Sequence, residues 1–273
     1  MVSNDDKRSS IVSGLGVPAP AARSGWCLAV IAIAGVIAVL GWHYVRPEPW
    51  TWLLLIAFVL LAIVSKNVAA MHLAILAALS MAVPRLFPTY PSIFVSKGAV
   101  LAAYGALCLA VSPLRTSVSW FGFGRITRRT WLTAAIFIAG FALFTAWYLT
   151  HYRPPAPRSL VADAGTSVVL FIVLGAAVNA LAEEVFWRGT MQTALESMGA
   201  SAFFAVLVQG AHFGLAHFRG PFFAGWAGMF GAALMGWLMG HFRQRTGSIF
   251  LPWLLHFLCD AVILALSAHL LAR

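Results

Sequence analysis

The chain has 273 residues, of which 61% are hydrophobic and only 10% charged, with a mean hydropathy of +0.88. A soluble domain is roughly a quarter charged, so this composition excludes an ordinary soluble globule and points to the membrane. The net charge of +10 does not make the chain a nucleic-acid binder: its Lys and Arg residues lie almost entirely in short connections between apolar runs, as the positive-inside rule places them, and form no phosphate-binding face.

Residues Met1 to Gly25 are polar and small, with Pro18 and Pro20, and read as a disordered cytoplasmic tail. Trp26–Val45 follows and, at about 20 residues, is long enough to span the hydrocarbon. It ends without an A-x-A-like cleavage site, so it reads as a first membrane helix and not a signal peptide. Further candidate spans are Trp50–Val64, Val68–Val83, Lys97–Val111, Trp131–Leu149, Thr166–Ala182, Ser201–His217, Phe222–Gly240 and Ile249–Leu271. The breaks between them carry helix-ending punctuation: Arg46-Pro47, Pro84-Arg85, Pro88, Pro91, Ser112-Pro113 and Arg153-Pro154-Pro155. Trp50, Trp52, Trp120, Trp131 and Trp147 stand near span ends, where interfacial aromatics belong.

The fold class expected is all-α: a polytopic membrane bundle of about nine transmembrane helices, or about eight because several early spans are short. With the N-terminus inside, basic residues such as Arg115, Arg125, Arg128 and Arg129 outnumber those on the other side, where Arg46, Arg85, Lys97 and Arg153 fall. Cys27, Cys108 and Cys259 are odd in number, widely spaced and form no CxxC, so neither a thiolate zinc site nor a disulfide framework is indicated. Three regions follow: a tail over 1–25, an N-terminal transmembrane region over 26–158 with scaffold or substrate-access character, and a catalytic bundle over 159–273. The last is set apart because the apolar segments before it hold almost no ionisable groups beyond His43 and His72.

Ionisable residues inside membrane segments are costly and usually face an interior site or pathway. The chain has only 8 acidic residues, and Glu183 and Glu184 stand together at the end of a long apolar run. On a helix Glu184 and Arg188 are neighbours on one face. Glu183 points about 100° away, free to aim into the bundle as a general base. The plainer reading is a solvated helix end with an ordinary ion pair. In the next segment His212 and His217 are five apart and fall on largely different faces. One therefore serves chemistry and the other packing. In the last segment His256 and Asp260 are four apart on one face, so Asp260 can fix the imidazole tautomer, accept from a bound water or ligate a metal. Between them Ala224, Gly228, Ala232, Gly236 and Gly240 recur every four residues, a small-residue ridge for close helix packing.

The ordered set Glu183-Glu184-x-x-x-Arg188, Phe213-x-x-x-His217 and His256-x-x-x-Asp260 resembles the CPBP family, the CAAX-protease and bacteriocin-processing (Abi-type) intramembrane endopeptidases. The family's marks are EExxxR, FxxxH and HxxxN or HxxxD, and the likeness covers roughly residues 160–265. The resemblance implies hydrolysis of a peptide bond at or within the membrane. Glu183 with His217 would activate water, His256 and Asp260 would bind the oxyanion or orient the water, and Glu184, Arg188 and Phe213 would support them. The resemblance leaves both a metal-free and a metal-dependent mechanism open, and no obligatory cofactor is expected. The alternative is zinc or another divalent metal held by Glu183, His217, His256 and Asp260. Asp260, where other members carry Asn, adds a potential anionic ligand.

The expected partners are the lipid bilayer and a membrane-associated protein or peptide substrate, cleaved at a C-terminal tail or a leader, with no nucleic acid. Short loops and a basic inner face point to a multi-pass protein of a bacterial inner membrane with a cytoplasmic N-terminus. The competing readings are a non-proteolytic immunity or scaffold protein of the same fold, and a proton- or cation-coupled transporter using Glu183 and Asp260 as a relay.

Overall fold

The computed structural model describes residues 23–86, 93–152, 168–219 and 225–271, and every regular element among them is helical. The first half holds α1 (Arg23–Val45), α2 (Trp50–Val64), α3 (Val68–Leu86), α4 (Ile93–Ala110), the short α5 (Ser112–Ser117) and α6 (Arg128–Tyr152). In the second half α7 (Val168–Glu184) runs unbroken into a π-helical segment, Val185–Met191, and then into the short α8 (Gln192–Ser197). α9 (Ala202–Ala216), α10 (Gly225–Thr246) and α11 (Phe250–Leu271) follow. Each apolar run read as a span is thus a helix. α1, α3 and α6 are long and apolar enough to cross a membrane, and α2, α4, α9 and α11 are shorter apolar helices. Leu53, Ile56, Leu143 and Val169 are exposed on the outside, an apolar surface that suits lipid. The protein is a polytopic helical membrane bundle.

Several boundaries differ from those read in the sequence. Residues 1–22 of the expected tail, Pro88, Pro91, the Arg153-Pro154-Pro155 break, Thr166, Phe222 and Ala224 lie outside the described residues, whereas 23–25 already belong to α1. α3 continues through Pro84 to Leu86. A proline in a last turn forfeits only one ladder bond, so it need not stop the helix where it stands. The Ser112-Pro113 break is real: Val111 is extended, and Pro113 opens α5 from its first turn. Lys97 does not sit at a span edge, since α4 begins at Ile93 and carries it inside the helix.

One buried apolar cluster joins the two halves, running from Ile33 on α1 and Leu73 on α3 to Phe186 in the π segment and Phe213 on α9. α7 packs against α4 on one side and α11 on the other, while α9 lies along α10 and touches α1. The α9–α10 seam explains the small-residue ridge. A Cβ on Gly236 would come within 3.0 Å of Gly210 Cα, and one on Gly214 within 2.5 Å of Met229 O. Only side chains this small let the two backbones close to that distance.

The start of α11 is placed by residues 118–127, which have no regular structure apart from bends. Arg125 N–H donates to Thr246 O at 2.9 Å, Ile249 N–H donates to Trp120 O at 3.1 Å, and the Ser248 hydroxyl donates to Gly122 O. Gly124 and Gly247 hold φ of 68° and 72°, the left-handed region that glycine enters without steric cost.

Candidate active site

Glu183 and Glu184 close α7 at the point where the helix widens. A π turn spaces its hydrogen bonds five residues apart and is often found at functional sites; here Gln192 N–H donates to Trp187 O. The end of α7 is not solvated: Glu183 is 6% exposed, and Glu184 and Arg188 are 0% exposed.

Glu184 is fully engaged on one oxygen. Its Oε1 lies 2.9 Å from Arg188 Nη1 and accepts from His256 Nδ1–H at 2.8 Å. Arg188 Nη1 pairs by charge without the alignment of a hydrogen bond, while Nη2 donates to Gly236 O at 3.3 Å. The guanidinium also lies 4.6 Å from the centre of the Phe213 ring, a cation–π contact in a dry setting. Arg188 therefore ties the π segment to both α9 and α10. The expected Glu184–Arg188 pairing is present, and it brings in His256 as a third member.

Glu183 is not free in the way that spacing suggested. Lys97 Nζ, reaching over from α4, donates to its Oε1 and also to Asn179 Oδ1. Asn179 in turn donates through Nδ2 to Asp260 Oδ2 at 2.8 Å. The other oxygen, Glu183 Oε2, is buried, has no hydrogen-bond partner and lies 3.5 Å from His256 Nε2. Asp260 Oδ1 lies 3.6 Å from the same nitrogen. His256 and Asp260 thus share a face as expected, but Asp260 does not set the tautomer. Glu184 does so from Nδ1, because a carboxylate oxygen can only accept there.

His217 closes α9 as its C-cap. Its Nδ1–H donates to Phe213 O at 2.8 Å, which leaves Nε2 as the basic nitrogen of the neutral ring. The Phe213 ring stands between the imidazoles, with centroids 4.4 Å from His217 and 5.7 Å from His256. His212 plays the packing role: Trp187 Nε1–H donates to its Nδ1 at 3.0 Å, and its Nε2–H donates to Ile37 O on α1 at 3.2 Å.

The structure therefore gathers Glu183, Glu184, Arg188, Phe213, His217, His256 and Asp260 from α7, the π segment, α9 and α11 around one buried locus. Three carboxylates (Glu183, Glu184, Asp260) face two fixed cations (Lys97, Arg188), an excess of one negative charge when His256 is neutral. Lys97 and Asn179 were not singled out in the sequence. The signal for Asn179 was its place four residues before Glu183, on the same helix face.

A metal is the test the four sequence-named donors must meet. Glu183 Oε1 is already taken by an ammonium, and a cation there repels a metal ion. Among the described residues no group of three or more His, Cys, Asp or Glu side chains is disposed to hold one. As arranged, these residues do not fit a metal centre.

Residues 165–262 match the family model Rce1-like, described as type II CAAX prenyl endopeptidase Rce1-like. Neither the curated proteins nor the solved structures give a match to the chain. The matched segment contains every residue of the locus except Lys97, which α4 brings in from outside it.

Proposed function

We propose, on the premise that residues 165–262 belong to the Rce1-like CAAX-protease family, that the protein is an intramembrane endopeptidase cleaving a peptide bond in a membrane-associated protein or peptide, with Glu183 as general base. The observation that carries this reading is the unpartnered, buried Glu183 Oε2 beside His256 Nε2. His256 Nε2 lies 3.5 Å from Glu183 and 3.6 Å from Asp260, beyond ordinary hydrogen-bond length, so neither carboxylate has claimed it and the facing oxygens are left for a reacting water.

In this mechanism Glu183 Oε2 takes a proton from water, with His217 Nε2 as its partner in polarising that water. The water oxygen bonds to the substrate carbonyl carbon. His256 is held by Glu184 through Nδ1; it orients the water with Asp260 and, when protonated, donates from Nε2 to the oxyanion. Collapse breaks the C–N bond, and the proton held on Glu183 passes to the leaving amine. Each step uses side chains of this chain alone and none passes through a metal. The substrate is a C-terminal tail or a leader segment, and the protein acts in a bacterial inner membrane with its N-terminus in the cytoplasm.

Replacing Glu183 tests the reading. A general base contributes on the order of 10²–10⁴ in rate, so Glu183→Gln in vesicles should cut substrate cleavage by that factor. Cleavage at the wild-type rate would refute the proposed base.

A further inference from the structure

Lys97 is separated from Glu183 by 86 residues and lies outside the family-matched segment, yet it is the cation that meets the proposed base. Its ammonium bridges two acceptors on one face of α7, Asn179 Oδ1 and Glu183 Oε1. Asn179 passes the restraint on to Asp260 Oδ2 at 2.8 Å. The two carboxylates that flank His256 Nε2 are thus joined through a single chain of hydrogen bonds: Glu183, Lys97, Asn179, Asp260. In both carboxylates the chain engages one oxygen and leaves the other turned towards His256.

We infer that Lys97, with Asn179 as its relay, is a positioning residue of the reaction centre. It fixes the rotation of the Glu183 carboxylate so that Oε1 is spent on the ammonium and Oε2 is presented to the water. This inference rests on the endopeptidase reading for its kinetics and on geometry alone for its structural part.

Three features support it over a simple fold-stabilising ion pair. The ammonium is not a lone counter-ion, since it is shared with a neutral amide whose other end holds the second carboxylate. Arg188 already neutralises Glu184 at 2.9 Å, so Lys97 is directed to Glu183 and is not a redundant charge for the acidic pair. The Lys97 side chain is also 25% exposed, against 0% for Arg188, so it is not locked into the packed interior as the Arg188 ion pair is. Because α4 packs on α7, the first half of the chain completes the centre that the second half encodes.

The test uses the full-length protein in vesicles with a membrane-tethered peptide substrate, and reads kcat and KM separately for Lys97→Met, Lys97→Arg and Asn179→Leu. Misplacing a reacting group by about 1 Å costs on the order of 10² in rate. Lys97→Met should therefore lower kcat by about that factor with KM little changed, Asn179→Leu should lower it less, and Lys97→Arg should recover part of the loss. A Lys97→Met enzyme with wild-type kcat, or with a changed KM alone, would overturn the assignment.

A second arm does not depend on activity. Thermal unfolding of Lys97→Met, Glu183→Gln and the double variant should show Tm losses that do not add, because each single change breaks the same contact. Additive losses would refute the Lys97–Glu183 coupling even if no substrate were cleaved. Coupled Tm losses with no cleavage of the substrate by the wild-type protein would leave the Lys97–Glu183 contact standing and remove the endopeptidase reading.

Discussion

Glu184 Oε1 accepts the Nδ1–H of His256 at 2.8 Å while lying 2.9 Å from Arg188 Nη1, so one oxygen atom holds both the imidazole and the guanidinium. The second carboxylate of the pair is therefore no spare copy of the first. It orients His256 and neutralises a cation that is 0% exposed, while Glu183 faces the locus where a water would react.

Breaking that node should cost stability as well as activity. Removing one partner of a buried ion pair leaves an uncompensated charge and costs about 3–5 kcal/mol. Arg188→Met alone should lower Tm sharply. Combining it with Glu184→Leu should restore much of the Tm but none of the cleavage, since His256 Nδ1 then has no acceptor. Thermal unfolding in detergent alongside the cleavage assay checks both parts.

His212 should behave oppositely to His217. Replacing His212 by Leu orphans the Trp187 indole N–H, at about 1–3 kcal/mol for a buried group, and removes the bond to Ile37 O that ties α9 to α1. The expected result is a lower Tm with kcat of the folded fraction unchanged. His217→Leu should leave Tm nearly intact and abolish measurable turnover.

The α9–α10 seam should tolerate no added methyl at Gly214. A Cβ there meets backbone, Met229 O at 2.5 Å, so one of the helices must shift. Overpacking of this kind costs about 1–3 kcal/mol, and the shift displaces Phe213 and His217 together. Gly214→Ala should lose cleavage out of proportion to its loss of Tm, whereas Gly231→Ala, with open space around it, should lose neither.

Complete removal of metal should leave cleavage unchanged. Activity of chelator-treated, metal-analysed protein is the measurement. Loss of activity that returns on adding zinc would restore the metal mechanism.

Much of this was legible in the chain because membrane helices announce themselves by apolar length, and because Glu184 and Arg188, four apart, can find each other without help from the rest of the fold. The same spacing put His256 and Asp260 on one face, as they are, but could not show that at 3.6 Å each has a closer partner on α7. Lys97 was hidden for a related reason. A single lysine near the edge of an apolar run reads as a loop charge, and only the packing of α4 on α7 gives it an acceptor 86 residues away. The π winding of Val185–Met191 left no signature either, since a wide turn has no composition of its own and all seven of its residues are held by burial.

That wide turn makes chain length itself a constraint on chemistry. The wide turn holds one residue more than an α turn would, so deleting one residue between Glu184 and Arg188 would let the ladder close normally. It would also change the spacing of those two side chains from four to three, a swing of about 100° for Arg188 relative to Glu184. No side chain of the locus would have been altered, yet the guanidinium would approach its carboxylate from the other side, off Gly236 O and the Phe213 ring. Such a deletion should be more damaging here than in α2 or α6, where a slip merely exchanges one lipid-facing residue for another.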